Sequence, residues 1–232
     1  MSYFAITSNH PRHIKFIQTL QSEIDLDLII VVSKGEVSES EKEFFGNPST
    51  LSGDNVLMCD KTQVHSRFVM NAIKGLNPDV GFVFGAPLLM ENVHGIPRYG
   101  CVNIHTGLVD HYRGVDSTSW AIYDERIDLV GATLHYIDKS IDAGEVIDMR
   151  TIRCNSADTS DTLFYKSCQI GFDMLRENMY NILNNKVKKI KLEKLGVLYQ
   201  NKDMNSSVEM EVRNKAPRLI KEFLRENHSR SL

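Results

Sequence analysis

Leu26 to Val32 is an aliphatic run broken only by Asp27, and it constrains the fold more than any other stretch. A strand with one wet face alternates polar and apolar residues. A run without alternation has both faces covered, as in a parallel sheet sandwiched between helices. The residues before it agree. Tyr3 to Thr7 is a short strand-like run, Ser8-Asn9-His10-Pro11 carries turn and helix-start chemistry, and a helix beginning near Pro11 would turn Ile14, Phe16, Ile17 and Leu20 inward. Strand, helix and strand within thirty residues is a βαβ opening.

The pattern continues. Residues 33 to 55 are polar and read as a loop with one short helix, Glu39 to Phe45, to which no function attaches. Val56 to Cys59 is a small strand, and Val64, Phe68, Ala72 and Leu76 give a helical stripe. Val80 to Phe84 is a strand ending at Gly85, and the loop Gly85 to Leu89 leaves its carboxyl end, where open α/β sheets bind ligands. Cys101 to His105 is a further strand, on which Asn103 and His105 share one face while Val102 and Ile104 pack on the other. The loop Thr106 to Gly114 leads to a helix with Trp120 and Tyr123, which read as packing groups. Strands Gly131 to Ile137 and Val146 to Ile152 and a long helix, Thr159 to Leu183, follow.

These elements predict an α/β domain over residues 1 to 183, Rossmann-like, with a mostly parallel sheet flanked by helices. A small C-terminal appendage is expected over 184 to 232. Lys186, Lys188, Lys189, Lys191 and Lys194 alternate with Val187, Ile190 and Leu192, which suits an exposed strand. Gly196 to Tyr199 is its expected partner, and Pro217 to Asn227 a final helix. A homodimer through that hairpin is a further expectation.

Composition excludes some function classes. A formal net charge of −3 gives no global positive field for nucleic acid or an acidic membrane, and the lysine run lacks the interleaved aromatics of a strand-binding patch. No stretch approaches the ~20 apolar residues that span a bilayer. Cys59, Cys101, Cys154 and Cys168 form no Cys-x-x-Cys pair and read as reduced thiols, so a cytoplasmic location is expected. His135, Asp138 and Asp142 have no recognised metal-ligand spacing.

Chemistry concentrates in four segments that fall at strand ends or in the loops after them. In order they are Asn103-Ile104-His105, Tyr112-Arg113-Gly114, Gly131-Ala132-Thr133-Leu134-His135 and Asp142-Ala143-Gly144-Glu145-Val146-Ile147. One Asn-x-His is no signal; four such segments in this order are. They resemble the formyltransferase family, which includes the methionyl-tRNA, glycinamide ribonucleotide and amino-sugar formyltransferases. The resemblance is close over about residues 80 to 150 and loose over the βαβ opening.

What it implies is a catalytic triad of Asn103, His105 and Asp142, with 10-formyltetrahydrofolate as formyl donor. Formyl transfer to an amine passes through a tetrahedral oxyanion and needs a base and an oxyanion donor. His105 is the base, Asn103 the donor, and Asp142 orients His105; no metal is required. The resemblance also implies a pterin site against Gly85, Pro87, Leu88 and Leu89 in one loop and Ile137 and Asp138 in another. Gly196, Tyr199, Lys202 and Asp203, and the Gly107-Leu108 form of the loop before Tyr112 and Arg113, resemble the amino-sugar branch.

On the acceptor side, His10, Arg12 and His13 lie at a helix start that can receive a phosphate, or they are a solvated helix start. Tyr112 and Arg113 are expected to contact the acceptor, Arg113 reading equally as a phosphate ligand or a structural ion pair. The expected partner is a small-molecule amine, a nucleotide-linked amino sugar first and glycinamide ribonucleotide second. Hydrolysis of the formyl donor by the same triad and a non-catalytic binding module are the competing readings.

Overall fold

In a computed structural model, which describes residues 1–33 and 35–229, the chain forms nine strands, β1 (Tyr3–Ser8), β2 (Leu28–Val32), β3 (Val56–Cys59), β4 (Val80–Val83), β5 (Cys101–His105), β6 (Tyr112–Gly114), β7 (Gly131–Tyr136), β8 (Val146–Thr151) and β9 (Val197–Tyr199). Seven helices join them: α1 (Pro11–Gln21), α2 (Glu39–Phe45), α3 (Arg67–Leu76), α4 (Glu91–His94), α5 (Ser117–Tyr123), α6 (Ser160–Leu183) and α7 (Ser206–Ser229).

Seven strands build one sheet in the order β3-β2-β1-β4-β5-β7-β8. β3 through β5 run parallel, and β7 is antiparallel to both β5 and β8. The mostly parallel sheet read from Leu26 to Val32 is therefore present, and Ile29 to Val32 are buried on both faces as that run requires.

Two layers of helix cover it. On one face Phe16, Ile17 and Leu20 of α1 and Cys168, Phe172, Leu175 and Met179 of α6 meet Ala5, Phe82, Ile104 and Leu134. On the other, Val69 and Ile73 of α3 and Val93 of α4 meet Phe4, Ile6, Ile30 and Val83. Each fully buried aliphatic or phenyl group contributes about 1.5–3 kcal/mol relative to exposure.

The inward stripe of α3 sits one residue from the predicted one. Val69 and Ile73 are buried while Phe68 is 69% exposed, because Ser66 rather than Val64 starts the helix by capping the Val69 N–H.

The appendage differs more. The lysine-rich segment forms no strand; it meets the sheet through an isolated bridge between Ile190 and Val146 and through Lys189, which lies 4.2 Å over the Tyr136 ring. β9 pairs instead with β6, parallel, Tyr112 opposite Val197 and Gly114 opposite Tyr199. The predicted hairpin, and the dimer surface it would offer, are thus absent from the described residues. The last helix begins at Ser206, with Pro217 in its interior. A proline there removes one backbone donor, yet Val212, Ala216, Leu219 and Ile220 pack on Trp120, Ala121 and Ile122 and carry the helix through.

The strand order turns between β1 and β4, and their carboxyl ends frame a crevice. Gly85, which follows β4, has φ +69°, and a Cβ there would stand 2.3 Å from His13 Nε2. Gly85→Ala is expected to cost about 1–3 kcal/mol, read as a lowered denaturant midpoint. No loss would mean that His13 yields freely.

Candidate active site

Asn103, His105 and His135 face the same side of the sheet because Asn103 pairs with His135 across β5 and β7, and His105 lies two residues along. The loop after β7 brings the fourth group. Since β7 is antiparallel, Ile137 sits level with Cys101, whose carbonyl accepts its N–H at 2.8 Å, and the chain must fold back across the sheet face to reach His105. Arg113 holds it there, donating from Nη1 to the Ile141 carbonyl at 3.1 Å and from Nε to the Gly196 carbonyl at 3.0 Å. Asp142 adopts φ +47°, a left-handed conformation that Asp tolerates better than most residues.

The result is a connected polar cluster in a buried setting. Asp142 Oδ2 is 3.3 Å from His105 Nδ1 and accepts the Gly114 N–H at 2.8 Å, while Oδ1 is 3.5 Å from His135 Nε2. Gly114 is needed for that approach: its φ is +84°, and a Cβ would lie 2.0 Å from the Tyr199 carbonyl oxygen. His105 Nε2 is 3.0 Å from Ser117 Oγ and 3.1 Å from the Tyr112 carbonyl. Asn103 Nδ2 is 3.1 Å from His135 Nε2, and His135 Nδ1 is 2.9 Å from the Tyr136 carbonyl. His135 Nε2 thus lies between the Asn103 amide and the Asp142 carboxylate.

Protonation follows from the surroundings. Burial lowers the His105 pKa below that of a free imidazole, outweighing the Asp142 charge, which acts to raise it. Burial also disfavours charge on Asp142, but His105, His135 and the Gly114 N–H together hold its carboxyl well below the usual carboxylate range. At neutral pH the pair is an unprotonated imidazole beside a carboxylate. That is a base with an orienting partner.

The two expected pterin loops face each other over one apolar cluster, to which Ala86, Leu89 and Ile137 all contribute. Lys139 and Glu91 join them at the rim, 3.2 Å apart. Leu89 is buried in that cluster and is no ring-facing group, whereas Leu88, 61% exposed, remains available. Gly85 and Pro87 are half-buried, and Asp138 is exposed and caps the Ser140 N–H.

Other expected contacts have structural employment. The Tyr112 hydroxyl donates to Asp124 at 3.1 Å, and both named Arg113 donors are engaged by carbonyls. At the head of α1, His13 is buried beside Phe84, and Arg12 pairs with the buried carboxylate of Glu41. Tyr199 stacks on Trp120 at 4.0 Å, so the tail motif builds the β6–β9 sheet. His135 stood in one of the four segments singled out in the sequence but was given no role, and Ser117 had no local signal.

An open, mostly parallel α/β sheet with an Asn, a His and an ionised Asp at one strand end is the class of fold and site defined here. The family model for formyl transferase matches residues 5–176, and the chain belongs to the formyltransferase family. It is 30% identical over 136 residues to the methionyl-tRNA formyltransferase of Caldanaerobacter subterraneus subsp. tengcongensis, covering 58% of this chain and 43% of that protein. The chain thus spans less than half the length of that curated relative. A sugar N-formyltransferase from Shewanella sp FDAARGOS_354 shares the fold with a TM-score of 0.66 at 16% identity, over 91% of this chain and 87% of that one. The N-formyltransferase from Helicobacter canadensis, solved with folinic acid and dTDP-3-aminofucose, does so with a TM-score of 0.62 at 18% identity, over 94% and 81%. No helix among the described residues is long and apolar enough to cross a membrane.

Proposed function

We propose that the protein transfers the formyl group of 10-formyltetrahydrofolate to the primary amine of a nucleotide-linked amino sugar. The single observation that carries the reaction class is the Asp142 carboxylate 3.3 Å from His105 Nδ1, with Asn103 two residues away on the same strand face. His105 takes the proton of the attacking amine and returns it to the folate nitrogen as the bond between that nitrogen and the formyl carbon breaks, releasing tetrahydrofolate. Asn103 Nδ2–H donates to the formyl oxygen as it gains charge, a role worth ~3 kcal/mol for one such donor. Asp142 fixes the imidazole and stabilises the imidazolium that follows.

A cleft of about 220 Å³ next to α5, lined by Asp116, Thr118, Asp161, Phe164, Glu209 and Arg213, offers hydroxyls and carboxylates that suit the hydroxyls of a sugar. The named neighbours from Shewanella and Helicobacter point the same way, while the methionyl-tRNA formyltransferase likeness supports only the shared formyl-transfer step.

Incubation with 10-formyltetrahydrofolate and a panel of nucleotide-linked amino sugars, read by mass spectrometry for a formylated amine, tests the reading. Turnover of glycinamide ribonucleotide alone would sink it, and formate release without any amine would establish the hydrolase instead.

His135 has a positioning role in this scheme. His135→Leu removes the ring nitrogen 3.1 Å from the Asn103 amide, and kcat is expected to fall about 10- to 100-fold with KM little changed. A loss confined to KM would contradict that role.

A further inference from the structure

The crevice where the strand order turns, between the carboxyl ends of β1 and β4, is where open α/β sheets receive ligands. The head of α1 opens onto it. A phosphate at such a position draws on backbone N–H groups, the helix dipole and a guanidinium. A backbone N–H and the guanidinium of Arg12 stand here, and both are already used by an anion of the chain itself.

Glu41, 3% exposed, enters from α2. Its Oε1 accepts the Arg12 backbone N–H at 3.1 Å, its Oε2 takes the Arg12 guanidinium, and His10 Nδ1 lies 3.6 Å from Oε2. Arg12 is further fixed over the Phe164 ring at 5.5 Å. The helix carrying Glu41 is clamped: Ser40 Oγ bonds Tyr165 Oη at 2.9 Å and Asp161 at 3.1 Å, and Phe45 packs against Tyr165 at 5.4 Å. A carboxylate on a mobile surface loop would be displaced by a competing anion. This one is built in.

β1 lies two strands from β5, or roughly 10 Å at ordinary strand spacing. That distance is within reach of a small phosphorylated acceptor whose amine sits at His105.

We propose that Glu41 is an internal counter-anion that occupies the phosphate position at the head of α1 and bars acceptors that would place a phosphate there. The selected amines are those whose phosphates are bound by other groups, so glycinamide ribonucleotide and similar amines bearing a terminal phosphate near the amine are excluded. This deepens the acceptor reading given above and rests on it only for the consequence in substrate choice; the anion site can be tested without turnover.

The test compares wild type and Glu41→Ala in inorganic phosphate and in chloride at matched ionic strength, by thermal unfolding. The variant leaves Arg12 without its carboxylate and opens the position. It is expected to unfold several degrees lower in chloride and to regain roughly 3–5 °C in 20 mM phosphate, with wild type unchanged by the exchange. Equal Tm values for the variant in both salts would overturn the proposal.

Should the variant not fold, equilibrium titration of wild type with ribose 5-phosphate decides. No saturable binding is expected, and a dissociation constant below 1 mM, roughly the affinity of an open site, would overturn it. If phosphate rescues Glu41→Ala while no amino sugar is turned over, the counter-anion stands and the acceptor reading fails.

Discussion

Replacing Asp142 by asparagine is expected to lower kcat for formyl transfer by roughly 1,000- to 10,000-fold, with KM for the folate donor little affected. The amide keeps the volume, so the Arg113 clamp on Ile141 persists. What disappears is a charge 3.3 Å from His105 Nδ1 that orients the ring and favours its protonated form. The pH profile carries a second signature. Burial lowers the His105 pKa, so the base stays unprotonated below pH 6.5, and the acid limb of kcat/KM falls below that value. Asp142 acts in the opposite direction, so its removal lowers the imidazole pKa further and moves the limb to still lower pH. A variant within tenfold of wild type, or a limb shifted upward, would contradict the assignment.

Asn103→Ala is expected to cost about 100- to 1,000-fold in kcat, as loss of one oxyanion donor does. The lost donor is Nδ2, held 3.1 Å from His135. Because His105 and Asp142 contact each other without Asn103, the pH profile should keep its wild-type position. Rate loss with an unmoved profile separates an oxyanion donor from a group that tunes the base; a moved profile would place Asn103 in the base's electrostatics.

The sheet was readable in the sequence because its strands carry their own signal. Leu26 to Val32, Val80 to Phe84 and Cys101 to His105 are apolar by periodicity, and α6 announces itself with Thr159 as a reciprocal cap on Thr162. Pairings between distant elements were not readable. β9 was expected as a strand, but beside the lysine-rich segment; its actual partner, the three-residue β6, lies more than eighty positions away and is too short for any periodicity. Pro217 resembles a helix start, and only the packing of Val212 and Ala216 on α5 shows that the helix begins earlier.

The site divides in the same way. Asn103 and His105 share a face by strand geometry alone, whereas Asp142 reaches them through a loop that doubles back under the hold of Arg113. Glu41 lies in a polar stretch that reads as an ordinary loop helix. Its meaning comes from Arg12, twenty-nine residues away, which no local pattern connects to it.

The central claim is that His105 is the base of a formyl transfer. The direct measurement is the rate of tetrahydrofolate formation from 10-formyltetrahydrofolate with an accepted amine present, for wild type and His105→Ala, alongside donor affinity measured by titration with a 5-formyl analogue. The account predicts equal donor affinity and a rate loss of at least about 1,000-fold. A variant that binds the donor normally and turns over within tenfold of wild type would contradict it.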